Sequence, residues 1–269
     1  YTLDGSKPTK ESAVYKNGIY IDNISEQPNV CNSVVKVVQE WLDYESSDYP
    51  VDKAVIIRAV AMNEENQVSE VVTNTYFVDE EKYREKNVLS IVADFDDLFG
   101  SEGIFVTGDE YDAYYLSNGK TEWAPPNFLQ SGRRWEILGN VQILTAGEEI
   151  LNQEVGIRTQ GASTRLNPKK RMSIFSREEY SENQYFDGLT FDGKKSHSFS
   201  LNSSISNVAL PELVKDRDVT VQSAIETVVF LNGEYWYDAY ALEKYNKYYL
   251  EETYGVSQDN VIIIKNQGI

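Results

Sequence analysis

Cysteine and histidine are almost absent from this chain: Cys31 and His197 are the only examples of each among 269 residues. A disulfide framework, a Cys/His zinc site and a Cys–His catalytic dyad are thereby excluded. Cys31 reads as a small buried side chain, and His197, which has no partner residue in the sequence, as a surface or internally satisfied one. Positive charge is also scarce, with 25 Lys and Arg against 43 Asp and Glu, a formal net charge of −18 and a pI near 4.5. Such acidity argues against direct binding to nucleic acid or to anionic membrane. No apolar run is long enough to span a bilayer, so membrane insertion is not expected. The opening YTLDGSKPT is no signal peptide and reads as the middle of a domain. What the chain does have is 41% apolar residues, enough to bury a real core, and an ordinary 25% of charged ones. Any catalysis must rest on carboxylates, Lys, Arg, Ser, Tyr or a bound metal.

The first part of the chain reads as strands. KAVIIRAVAM from Lys53 and VSEVVTNTYFV from Val68 are β-branched and partly alternating, with a polar turn between them, the pattern of an antiparallel hairpin. A further strand is expected around residues 18–21, and SVVKVVQEWL from Ser33 is the one helical candidate, although its apolar positions also suit a strand. DEEKYREK, residues 79–86, is charged without apolar periodicity and reads as a linker. Beyond it the pattern turns to mixed α and β. NVLSIVAD from Asn87 is a buried strand, and DDLFG suits a short turn of helix. Strands are expected over residues 140–144, 155–160, 171–175 and 199–202. Residues 227–244 hold two β-rich runs around Asn232-Gly233, the pair best suited to a type I′ hairpin turn. Residues 244–254 read as a helix closed by Gly255, and NVIIIK from Asn260 as a buried strand. No internal repeat or low-complexity tract is present.

One segment reverses the sign of the whole. Residues 155–177 carry six basic side chains, Arg158, Arg165, Lys169, Lys170, Arg171 and Arg177, and no acidic one. Within it Gly161 and Ser163 suit a turn whose backbone N–H groups face an anion, Thr164 adds a hydroxyl, and Lys170 starts the strand that leaves the turn. A lysine so placed can supply a fixed cation to phosphates, as the strand lysine of protein kinases does. The plainer alternative is a set of solvated strand residues that balance the acidic remainder.

Other features point elsewhere. Asp94, Asp96 and Asp97 directly after an apolar strand imitate a haloacid-dehalogenase-type phosphatase, with Gly108, Asp109 and Asp112 as its later motif. The threonine expected after the second aspartate is missing, the spacing is too short, and the alternation of a doubly wound sheet is absent. A turn and helix N-cap is the better reading of these aspartates. Trp123, Trp135 and Trp236, with many tyrosines, are compatible with a sugar-binding surface, but aromatic residues in strands are more often core.

Two resemblances organise these pieces. YTLDGSKPT, VYKNGIYI, IRAVAM and SEVVTNTYFV resemble the small immunoglobulin-like domain at the C-terminus of chitobiase and β-hexosaminidase enzymes, a β-sandwich accessory module. The strands that would complete the sandwich are expected upstream. From Asn87 onward, LSIVADFDDLFGSEGIFVTG, RRWEILGNVQI, VGIRTQGASTRLNPKKRMSIFSREEY, the Arg217-Asp218 pair, FLNGEYW, YALEK and DNVIIIK resemble the CotH family of atypical, secreted or spore-surface protein kinases. The stretch between Arg217-Asp218 and LNGEYW is shorter than is usual there, and Tyr237 and Asp238 stand where a glycine is usual. The implied fold is α+β: a partial Ig-like β-sandwich over residues 1–79, then a β-rich, protein-kinase-like N-terminal lobe over residues 87–269. The implied nucleotide site comprises Lys170, Arg165, Ser163, Glu243 and Arg217. Glu243 would pair with Lys170, and Arg217 would organise the site with Asp218 or, more plainly, cap a helix. The implied chemistry is transfer of the ATP γ-phosphoryl group, with Mg²⁺, to Ser or Thr of a surface or spore-coat protein in an extracytoplasmic, Gram-positive setting. The family's catalytic carboxylates are expected beyond position 269, which would leave these residues inactive alone. The alternative is a non-catalytic extracellular scaffold that contacts polysaccharide or surface proteins.

Overall fold

A computed structural model describes residues 1–39, 42, 44–46, 48–79 and 81–264. It is β-rich with few helices. The expected first hairpin is present as β1 (Val55–Ala59) and β2 (Val72–Tyr76), paired antiparallel from Val55–Tyr76 to Ala59–Val72. Residues 2 and 4 bridge to the other side of β1, at Arg58 and Ile56. The strand expected at residues 18–21 does not form. The helix expected from Ser33 is absent over the described residues 33–39, because Val37 and Val38 are drawn into the main core instead, and Glu40 and Trp41 lie outside the described residues.

The remaining strands close on themselves. They are β3 (Asn87–Ala93), β4 (Ile137–Thr145), β5 (Glu148–Gln160), β6 (Arg171–Phe175), the short β7 (Thr190–Phe191) and β8 (Lys194–Lys195), β9 (Ser198–Asn202), β10 (Ala224–Leu231) and β11 (Glu234–Glu243). Seven of them form a barrel in the order β10-β11-β9-β6-β5-β4-β3, while β7 and β8 pair as a separate ribbon. All barrel pairings are antiparallel except the closing one, in which β3 runs parallel to β10 from Val88–Val228 to Ile91–Leu231. Helices α1 (Phe95–Phe99), α2 (Asp109–Leu116), α3 (Glu178–Ser181), α4 (Ser206–Val214) and α5 (Lys247–Tyr254) lie in the connections.

Local chemistry explains several ends. Asp94 caps α1 by accepting from the Asp96 N–H at 3.1 Å, as its position after β3 suggests. Gly255 ends α5 at φ +66°, and the Asn246 side chain caps its start. Asn232 (φ 47°) and Gly233 (φ 83°) take the left-handed conformations that a type I′ turn demands. The Asn232 amide also accepts from the Ala93 N–H at 2.9 Å and donates to its carbonyl at 3.0 Å, which prolongs the parallel closure by a side chain. The strand expected from Asn260 does not form over its described part, and Ile262 and Ile264 are exposed.

Strand alternation sorts the residues. Val141, Val155, Ile157, Met172, Ile174, Phe199, Leu201, Val229 and Leu231 fill the barrel. Cys31, Val37 and Val38 join the same core. The stretch 79–86, expected as a linker, is anchored: Tyr83 is buried against Phe77 and Phe230, and Lys82 pairs with Asp52 at 2.6 Å.

Barrel side chains satisfy the first hairpin and the loop before it. Gln142 Oε1 accepts from the Thr75 N–H at 2.8 Å, and Asn152 donates to the Thr73 carbonyl at 3.0 Å, so two amides stand in for a neighbouring strand along β2. Glu234, buried at the start of β11, accepts from the Val30 N–H and, at 2.9 and 2.8 Å, from the backbone and side chain of Asn32. Glu234→Ala removes the acceptor of the buried Asn32 N–H and of the Val30 N–H, while the Asn32 amide keeps the Tyr235 carbonyl, with an expected loss of about 2 kcal/mol. A urea titration checks it: the midpoint should fall, and an unchanged midpoint would mean that this junction does not hold the fold.

Candidate functional site

The basic segment forms β5, a tight turn and β6. Gly161 has φ +113°, and a Cβ there would meet Thr164 Oγ1 at 2.0 Å, so the turn needs glycine. Ser163 is exposed on it. Arg165 is half-buried and donates to the carbonyls of Leu129, at 3.0 Å, and Gln130.

Lys170 lies inside the turn rather than on it. The whole residue is buried, and its ammonium donates to the carbonyls of Val37, Arg165 (2.6 Å) and Asn167 (2.9 Å). The face of Phe128 lies 3.7 Å from Nζ, and the Lys170 carbonyl accepts from the Trp236 indole at 3.1 Å. Burial pulls the ammonium down to about 7, while the three carbonyls and the ring favour its charged form. All three of its N–H donors are committed.

Glu243 does not pair with it. It is buried at the far end of β11, level with Phe199, which is level with Ile174 on β6. Two strand spacings and four residues of rise put Glu243 and Lys170 on the order of 15 Å apart. Burial pushes the Glu243 carboxyl up to about 7, with Lys194 opposing and Asp192 reinforcing. Arg217 and Asp218 are exposed beyond α4, and no ion pair joins them. Of the five residues expected together, Ser163, Arg165 and Lys170 share one turn, and Glu243 and Arg217 lie elsewhere.

Arg158, Arg171 and Arg177 lie on the outer face of the basic segment, while Lys169 lies over the rings of Tyr235 and the buried Trp236. The register that sends Ile157, Met172 and Ile174 inward places Arg158 and Gln160 of β5 beside Ser173 and Arg171 of β6 on the opposite face. Ser173 donates to Gln160 at 2.6 Å and accepts from Lys244 at 3.0 Å. At one edge of this face stands Glu136, whose side chain is wholly buried. Arg158 reaches it through Nε (2.7 Å) and Nη2 (2.6 Å), Arg177 through Nε (2.6 Å) and Nη2 (2.7 Å), and Arg133 through Nη1. Tyr180 donates to it at 3.3 Å, and Arg133 also meets Glu179. Gly156 makes the space, since a Cβ there would meet Glu136 Oε1 at 2.3 Å. The guanidiniums of Arg158 and Arg177 lie over Phe175 at 4.7 and 5.0 Å. Burial, and then Arg177, hold the Arg158 group below its usual range. Glu136, Arg133 and Tyr180 were not anticipated as a site; the signal in the sequence was the Arg133-Arg134 pair just before a glutamate.

The decoys resolve structurally. Asp94 is a cap, Asp112 pairs with Lys36 at 2.6 Å, and among the described residues no group of three His, Cys, Asp or Glu side chains is placed to hold a metal. Trp236 is buried against Phe99 and Phe105, Trp135 packs on the core, and Trp123 is exposed. Cys31 is buried, which pushes its thiol up. His197 is internal, with Nδ1 2.7 Å from the Gln184 carbonyl and its ring stacked 3.7 Å from that of Tyr248.

Comparison with known proteins places the first part of this architecture. Residues 1–76 match the family described as Fn3 associated, which points to an immunoglobulin- or fibronectin-like associated domain over that stretch. No curated protein matches the chain.

Two outcomes follow from these geometries. Lys170→Met leaves three carbonyls without their donor at a fully buried site, and calorimetric melting should show a loss of about 3 kcal/mol. An unperturbed melt would contradict the clasp. Burial lowers His197 to about 4 from its ordinary 6.5. The unfolded chain therefore binds more protons between those values, and stability is lost as pH falls from 6.5 to 4, by up to about 3 kcal/mol. Urea midpoints over that range should fall less steeply for His197→Phe than for the wild type; parallel curves would contradict the assignment.

Proposed function

We propose that this chain is an anion-recognising β lobe of the CotH-like kind, joined to a chitobiase-like accessory domain, which holds a phosphate-bearing ligand such as ATP without transferring its phosphoryl group. The observation that supports the reading is the outer face of β5 and β6, where Arg158, Arg171 and Lys244 gather around Gln160 and the buried Ser173 on a chain of net charge −18. An anion approaching an acidic protein is drawn to such a face.

The residues expected to hold Mg²⁺-ATP do not fit that role as a set. The Lys170 ammonium is spent on three carbonyls, Glu243 stands apart from it, and among the described residues no group of three His, Cys, Asp or Glu side chains is placed to hold a metal. These residues supply binding and not transfer. Kinase activity on Ser or Thr of a surface or coat protein, and an extracytoplasmic location, belong to the same proposal and rest on the resemblance. The interior position of Lys170 favours a second reading, a non-catalytic scaffold that contacts polysaccharide or surface proteins.

Calorimetric titration of ATP, with and without Mg²⁺, separates the two. The wild type should bind saturably, Lys170→Met should bind equally while folded, and Arg171→Ser should weaken binding about five- to tenfold. No saturable binding by the wild type would remove the nucleotide and leave the scaffold.

A further inference from the structure

The Glu136 cluster has donors in excess and acceptors exhausted. Glu136 Oε1 accepts from Arg177, Arg133 and Tyr180, and Oε2 accepts twice from Arg158 and once from Arg177. The carboxylate is enclosed and has no room for a further partner. The guanidiniums are not exhausted: each has five N–H donors and gives two to carboxylates. Their side chains remain 43%, 23% and 21% exposed for Arg133, Arg158 and Arg177. Three positive charges meet two negative ones, Glu136 and Glu179, so the cluster keeps a surplus of one. The Phe175 ring beneath Arg158 and Arg177 fixes their planes, and Lys244 lies over the same ring at 5.3 Å.

Such a network is costly as a purely internal device. One arginine neutralises a buried carboxylate, and each further one adds like-charge repulsion; burial first, and then the neighbouring Arg177, lower the Arg133 and Arg158 guanidiniums. A tetrahedral dianion placed against the exposed edges would remove that repulsion and take up the spare donors, since a guanidinium fork matches phosphate oxygens in pairs. We infer that Arg133, Arg158 and Arg177, positioned by the buried Glu136, form a binding site for a phosphate or phosphate monoester dianion. The inference rests on the outer face recognising anions, and it specifies the group held there. Glu179 competes for Arg133 and so limits occupancy from the rim.

The single histidine provides a reporter. The His197 carbonyl accepts at 2.9 Å from the N–H of Ser176, next to Arg177 in the chain, the His197 ring feels the Arg177 charge, and its imidazole is the only one in the chain. Inorganic phosphate is titrated at pH 7.5 while the His197 ring resonances are followed by NMR, with sodium chloride at matched ionic strength as the control. The wild type should show a saturable shift with phosphate alone. Arg133→Gln leaves Glu136 with two arginines and should weaken binding about tenfold, whereas Glu179→Gln should tighten it several-fold. A merely structural cluster would not respond in opposite directions. No saturable shift, or equal affinity in all three proteins, would overturn the site. ATP that binds by calorimetry without moving His197 would overturn it too, while leaving the anion-recognising lobe in place.

Discussion

Much of this structure depends on one buried ammonium. Lys170 joins the carbonyl of Val37, from the N-terminal stretch, to those of Arg165 and Asn167 in the turn between β5 and β6, beneath the face of Phe128. A charge taken so far from water is tolerated only when its donors are all met. Here three carbonyls meet them, and each of those carbonyls would otherwise be left short in turn. The clasp therefore sets the shape of the turn, draws residues 37 and 38 into the barrel's core, and leaves Arg158, Arg171 and Arg177 to face outward.

That division of labour changes what positive charge means in an acidic chain. A lysine suits the interior role because its compact head gives three donors in any direction, whereas the planar arginine fork suits paired contacts at an exposed edge. Arg158 and Arg177 come from the same short segment as Lys170, yet they converge on Glu136 with solvent still within reach. Alternation along β5 turns Arg158 outward, and Arg177 stands just beyond β6 at the start of α3.

Local features were the most legible in the sequence. Residues 171–175 form the strand that their pattern predicts, Asn232-Gly233 makes the expected turn, and Asp94 caps the helix after β3. What failed was settled by distant contacts. Residues 33–39 have helical spacing, but Val37 and Val38 are claimed by the core and Lys36 by Asp112. Residues 18–21 and 260–264 have strand composition without a strand to pair with. Barrel closure was not readable, because it joins β3 to β10 in parallel across more than a hundred intervening residues. The same holds for the site. The run of basic residues stood out, but which of them turns inward depends on a carbonyl 133 positions away. Glu136 offered only a nearby arginine pair as its sign.

The central claim is that the buried lysine builds the turn and the outer arginines meet the anion. A crystal structure of the chain grown in phosphate tests it most directly. The account predicts a tetrahedral anion against Arg133, Arg158 and Arg177, with Lys170 Nζ still on the carbonyls of Val37, Arg165 and Asn167. An anion bound at Lys170 Nζ, with the turn opened around it, would contradict it.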